Sequence, residues 1–143
     1  MDKILPFERK VNYYETDKMG IVHHSNYIRW FEETRIYYLE AAGYPYSRME
    51  DEGIMIPVLS AECNYKNAVT FGETVYITAQ VQKFNGFRME ILYTVKGGDG
   101  TVKADGMTSH CFVNKDMKLV RTNKEYPGIY KVFTGLCEMS GQQ

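Results

Sequence analysis

Two runs of alternating residues flank Asn85-Gly86, and together they constrain this chain more than any other feature. Val75, Ile77, Ala79 and Val81 interleave with Tyr76, Thr78, Gln80 and Gln82 on one side. Phe87, Met89, Ile91, Tyr93 and Val95 interleave with Arg88, Glu90, Leu92 and Thr94 on the other. A period of two is the pattern of a half-buried strand, and Asn-Gly suits a tight hairpin whose two turn residues take positive φ. Gly97-Gly98-Asp99-Gly100 then turns the chain into a further strand near 102–114. Earlier strands are predicted over 58–68 and 7–14.

Against this meander stands one strong helix signal, from Asn26 to Ala42. Tyr27, Phe31, Tyr38 and Ala42 recur on one face, and Ile28, Trp30, Leu39 and Ala41 widen the stripe. Arg29 with Glu33, and Glu32 with Arg35, have the spacing of surface pairs. Ser25 or Asn26 can cap the start, and Gly43 is placed to end the helix in the left-handed conformation. Seventeen residues make a helix of roughly 25 Å. A short second helix is predicted over 45–52, while 124–133 fits either helix or strand. One long helix segregated from a run of antiparallel strands indicates an α+β fold, a curved antiparallel sheet of about five strands wrapped around that helix. Its uncovered face and edges make self-association a physical expectation.

With 143 residues the chain is expected to form a single domain over 1–143. Hydrophobic residues at 44% and charged residues at 24% suit a globular protein. A formal charge of −1 argues against electrostatic capture of nucleic acid. The start, from Met1 to Lys10, holds only a short apolar run, too brief for a signal peptide or a spanning helix, so membrane insertion is not expected and a cytoplasmic location is. Cys63, Cys111 and Cys137 are widely spaced with no C-x-x-C, which reads as three reduced thiols rather than a zinc or redox site.

The densest cluster of reactive groups lies just before the helix, from Tyr13 to Tyr27, and includes Glu15, Asp17, Gly20, His23 and His24. A helix N-terminus offers unpaired N–H groups and positive partial charge, which can hold a carbonyl oxygen as it becomes negative. A neighbouring carboxylate can attack the carbonyl carbon or activate water. Taken alone, an aspartate in a strand-to-helix loop is more often a turn or cap residue.

The spaced pattern Tyr14-x-x-Asp17-x-x-Gly20-x-Val22-x-His24-x-x-Tyr27, followed by Trp30, Phe31, Glu32 and Arg35, resembles the signature of the 4-hydroxybenzoyl-CoA thioesterase family of hotdog-fold proteins. It is most similar to the bacterial acyl-CoA thioesterase branch that includes the Tol–Pal-associated enzymes. Ala61 to Tyr65, Phe71-Gly72-Glu73, the Asn85-Gly86 hairpin and a last strand ending in Val113 follow the same order, so the likeness covers roughly 5–120. The resemblance implies a thioesterase that hydrolyses acyl-CoA to free CoA and a carboxylic acid. Asp17 falls on the catalytic carboxylate, nucleophile or general base. His24 falls on the oxyanion donor at the helix start, and Gly20, Val22, His23 and Tyr27 fall on substrate-side positions. His23 stands where related sequences often carry Tyr or Trp. The resemblance also implies a homodimer or homotetramer with the active site at a subunit interface, and no cofactor or metal beyond the CoA of the substrate.

Other candidates read more simply as structure. Glu32 and Glu33 look like partners of Arg35 and Arg29, Glu73 looks solvated, and His110 is assigned no chemistry. Lys66, Arg88 and Lys103 are the basic residues that could meet the CoA phosphates. Two rival functions remain open, a non-catalytic acyl-CoA-binding module and a thioesterase acting on acyl carrier protein. The H-F-P-G-x-P pattern of hotdog dehydratases is absent.

Overall fold

Alternating burial in four strands, with a largely exposed fifth paired along one edge, gives one antiparallel sheet. In the computed structural model, which describes residues 3–141, the strands are β1 (Phe7–Lys10), β2 (Val58–Tyr65), β3 (Thr74–Gln82), β4 (Arg88–Lys96) and β5 (Val102–Cys111). Their order across the sheet is β1-β3-β4-β5-β2. Helix α1 (Ser25–Ala41) packs on one face, and α2 (Tyr46–Glu52), α3 (Thr122–Glu125) and α4 (Pro127–Gly141) complete the chain. This is the α+β architecture that the sequence pattern predicts.

The register explains the core. Ala79, Tyr93, Gly106 and Cys63 stand in one row across four strands. Phe31 of α1 stacks on Tyr93 there, with ring centroids 4.3 Å apart and planes 7° from parallel. A Cβ added at Gly106 would lie 2.5 Å from the Phe31 ring and 2.6 Å from the Glu62 carbonyl oxygen. The missing side chain is therefore what lets the helix come down onto the sheet. Trp30, Phe31, Tyr38 and Leu39 are all buried along the stripe.

A chain of polar groups runs through this core. Arg35 Nη1 donates to Tyr93 Oη at 3.0 Å, Tyr93 Oη lies 2.8 Å from Thr108 Oγ1, and Thr108 Oγ1 lies 2.7 Å from His110 Nε2. His110 is fully buried, and among the described residues its Nδ1 has no hydrogen-bond partner. Burial, reinforced by the positive charge of Arg35, pushes its pKa down to about 4, so the ring is neutral in the folded protein.

Several local expectations are corrected by tertiary contacts. The β3–β4 connection spans Lys83 to Phe87 and is not a two-residue turn: Lys83 and Gly86 take positive φ and Asn85 does not. Asn85 Oδ1 instead accepts from the Phe87 and Arg88 N–H groups, and Thr122 donates to the Gly86 carbonyl through both N and Oγ1. The predicted strand over 7–14 ends at Lys10 and gives way to a 3-10 turn at Tyr13–Glu15. Those over 58–68 and 102–114 stop at Tyr65 and Cys111.

Neither Ser25 nor Asn26 caps α1. Ser25 is its first residue, and the capping position belongs to His24. Gly43 follows the helix at φ +84° as expected. The helix charges do not pair along its surface. Glu33 is taken by Arg9 and Arg35 by Tyr93. Finally, the ambiguous stretch 124–133 belongs to helices, with α4 a second long one beside α1. Ile129, Phe133 and Leu136 form its buried face, and Phe112 packs edge-on to both Phe84 and Phe133, with centroids 5.8 and 5.6 Å apart.

Gly106→Ala is expected to cost about 1–3 kcal/mol, since both groups the new methyl meets are held in place; urea unfolding reads this directly. His110 generates a pH dependence of definite sign. Its unfolded pKa of 6.5 exceeds the folded value, so stability is complete above about pH 6.5 and is lost as pH falls toward 4, by at most about 1.4 kcal/mol per unit. His110→Gln should flatten that slope in a series of unfolding curves, and an unchanged slope would assign the acid sensitivity elsewhere.

Candidate active site

A buried carboxylate organises the segment that precedes α1. Glu15 is 3% exposed, and an ionised group so placed must be paired and hydrogen-bonded. Arg9 of β1 approaches it in fork geometry, Nη1 to Oε1 at 3.1 Å and Nη2 to Oε2 at 2.9 Å. Trp30 Nε1 donates to Oε2 at 2.9 Å and the Asn12 N–H to Oε1 at 2.8 Å. The Glu15 carbonyl also accepts, from the His23 N–H at 2.8 Å and from Asn26 Nδ2 at 2.9 Å. One residue thus ties β1 to both flanks of the following loop and to α1.

The loop is a small hairpin. Thr16 and Val22 form an antiparallel bridge, the Asp17 N–H donates to the Ile21 carbonyl, and the Gly20 N–H to the Asp17 carbonyl. Gly20 sits at φ +79°, the left-handed position that closes a three-residue hairpin loop and favours glycine. Asp17 is half-buried, and the Met19 N–H donates to its Oδ1 at 2.8 Å, which orients the carboxylate.

At the start of α1 nearly every N–H is occupied. His23 donates to Glu15, Ser25 to His23 Nδ1, Asn26 to the His23 carbonyl and Tyr27 to the His24 carbonyl. Among the described residues the His24 N–H has no acceptor. Asp17, Val22, His24 and Tyr27 line one cavity of about 300 Å³, together with Met19, Ile21, Tyr65, Lys66, Asn67 and Ala68. Of the six residues singled out from sequence, four therefore meet there. Gly20 shapes the loop, while His23 turns aside, its Nδ1 2.9 Å from Ser25 Oγ and its ring 4.1 Å from that of His24.

Tyr65 is the residue sequence reasoning missed. Its ring packs edge-on to Tyr27 at 5.0 Å, and its hydroxyl donates to the His24 carbonyl at 3.1 Å, binding strand β2 to the helix start. Nothing in its local sequence distinguishes it, because it reaches the site from 41 residues away. Burial pushes the Tyr27 hydroxyl up to about 12 and the Cys63 thiol up to about 11. Both stay protonated near neutrality.

The basic candidates separate. Lys66 lines the cavity and pairs with Asp105 at 2.9 Å. Lys103 reaches the Ala68 carbonyl at 3.3 Å, beside the cavity. Arg88 starts β4, whereas the strand rows nearest the cavity cross β4 at Val95 and Lys96, its far end. Glu73, read as solvated, accepts from the Thr70 N–H at 2.6 Å and from its hydroxyl at 3.0 Å. Those bonds, with Lys103 nearby, hold its carboxyl below the usual range.

The fold and the sequence match known proteins. Residues 11–127 match the Thioesterase-like superfamily, and the chain belongs to that family. It is 38% identical over 125 residues to an esterase candidate of Aquifex aeolicus, covering 87% of this chain and 96% of that one. It is 34% identical over 121 residues to an acyl-CoA thioesterase candidate of Bacillus subtilis, covering 84% and 88%. The crystal structure of a DHNA-CoA thioesterase from Staphylococcus aureus superposes with a TM-score of 0.88 at 29% identity, covering 95% of this chain and 92% of that one.

Removing the anchor should be felt in both stability and site. Glu15→Ala leaves Trp30 Nε1 unpaired in the core while Glu33 keeps one side of Arg9 satisfied, so the expected loss is toward the lower end of about 3–5 kcal/mol. Trp30 is the single tryptophan, and its fluorescence during denaturant unfolding reports on the affected contact. A change within about 0.5 kcal/mol, typical of a surface site, would contradict the role given to Glu15.

Proposed function

We propose that the protein is an acyl-CoA thioesterase, hydrolysing a thioester to free CoA and a carboxylic acid. The observation that carries this reading is the cavity lined by both Asp17 and His24, whose N–H has no acceptor among the described residues. The His24 N–H would hold the carbonyl oxygen as negative charge develops on it. Asp17 then acts in one of two ways. As nucleophile it bonds to the carbonyl carbon, the C–S bond breaks with the electron pair leaving on sulfur, and water hydrolyses the resulting anhydride. As general base it takes a proton from water, whose oxygen bonds to the carbonyl carbon, and the C–S bond then breaks with its electron pair leaving on sulfur, which takes up a proton. Neither route calls for a metal or cofactor. The family match and the names of the relatives from Bacillus subtilis and Staphylococcus aureus support the substrate class.

The finer placement, in the 4-hydroxybenzoyl-CoA thioesterase family and its Tol–Pal-associated branch, belongs to the same proposal and rests on the spaced signature from Tyr14 to Tyr27. So does assembly into a homodimer or homotetramer. Strand β2 is an edge, with Val58, Leu59 and Tyr65 between 46% and 51% exposed, and pairing with a second copy is one way to satisfy it. A cytoplasmic location agrees with three free cysteines.

The test is thiol release from a panel of aliphatic and aromatic acyl-CoAs, comparing native protein with Asp17→Asn. Loss of the carboxylate should lower kcat by about 10²–10⁴-fold with binding retained. Near-native turnover by a correctly assembled variant would refute the assignment. Binding without any release by the native protein would favour the non-catalytic module, and release only from carrier-protein thioesters the other rival.

A further inference from the structure

A second cavity is larger than the one Asp17 lines. A space of about 530 Å³ lies between the C-terminal half of α1, helix α2, strands β3 and β4, and α4, a volume within the range of small-molecule sites. It shares no lining residue with the Asp17 cavity. Tyr27 and Arg35, which line the two, are eight residues apart on α1, about 12 Å along its axis. The walls are aliphatic for the most part, with Ile36, Leu39, Met49, Val81, Met89 and Leu136 among them.

The polar lining consists chiefly of four charged residues. Glu32, Glu50 and Lys115 are exposed, whereas Arg35 is half-buried. Among the described residues no carboxylate lies within ion-pair distance of Arg35. Among the described residues its hydrogen-bond partner is the buried hydroxyl of Tyr93, and behind that hydroxyl the chain continues to Thr108 and His110, all neutral groups. A guanidinium carries five donors in a fixed fork suited to carboxylate. Here it stands over an apolar cavity with its charge unpaired, and a partly desolvated cation in that state gains from an anion brought in with an apolar body.

We propose that this cavity binds an aliphatic monocarboxylate, its carboxylate on Arg35 and its chain between α1, α2, α4 and the sheet. The site is separate from the Asp17 cavity and does not depend on thioester hydrolysis. Titration calorimetry on the full chain with decanoate, decanol and naphthoate tests it. Decanoate should bind about tenfold or more tightly than decanol, the worth of one charge-assisted contact, and more tightly than naphthoate. Arg35→Met should erase the preference for decanoate over decanol. Ala79→Phe, which fills the cavity and leaves Arg35 in place, should abolish binding even where Arg35→Met fails to fold. Asp17→Asn and saturating CoA should leave decanoate binding unchanged. Equal affinity for decanol, a preference for naphthoate, no binding of decanoate, indifference to Ala79→Phe, or displacement by CoA would each overturn the proposal.

Discussion

A carboxylate sealed from water has to be answered by donors that cannot move away, and the answer given to Glu15 sets the rest of this molecule. Arg9, Asn12 and Trp30 converge on its two oxygens, and each comes from a different stretch of chain. Meeting that demand fixes β1 against the sheet, the 3-10 turn behind it, and the rotation of α1 about its axis. The Asp17 hairpin and the His24 N–H are placed by the same bonds, because the Glu15 carbonyl holds His23 and Asn26 on the far side of the loop. The position of Asp17 is thus built on the ion pair between Arg9 and Glu15.

The sequence carried the periodic parts of the fold and lost the parts decided at a distance. Period-two alternation in β3 and β4 and the apolar stripe of α1 are dictated by burial on one face, so they could be read locally. The partners of Glu33 and Arg35 could not, since helix spacing offered nearby charges and the folded chain supplied Arg9 and Tyr93 instead. The same holds for the Asn85-Gly86 turn, opened out because Thr122 claims the Gly86 carbonyl. In the candidate site, the spaced signature pointed to Asp17, Val22, His24 and Tyr27, which do share a cavity. Glu15 lay inside that signature yet looked like any loop carboxylate until its burial was known. Tyr65 arrived from a strand with no local mark.

Helix α1 serves two environments along one rod. Its first turn presents backbone donors and aromatic walls to a small polar-edged cavity, and its last turns face a larger aliphatic one through Arg35, Ile36 and Leu39. Phe31 sits between the two ends, stacked on Tyr93 above Gly106, at the place where the helix comes closest to the sheet. The two ends are mechanically joined by that contact and chemically insulated by it.

The order in which these pieces lie along the chain has a consequence for synthesis. Helix α1 is complete at Ala41, whereas the meander that covers it begins only at Thr74. A nascent chain therefore carries Trp30 and Phe31, both fully enclosed in the finished protein, through a period when nothing downstream exists to shelter them. Exposed apolar surface of that kind is what chaperones recognise and what seeds aggregation. The helix that organises the mature domain is, on the ribosome, its most vulnerable stretch.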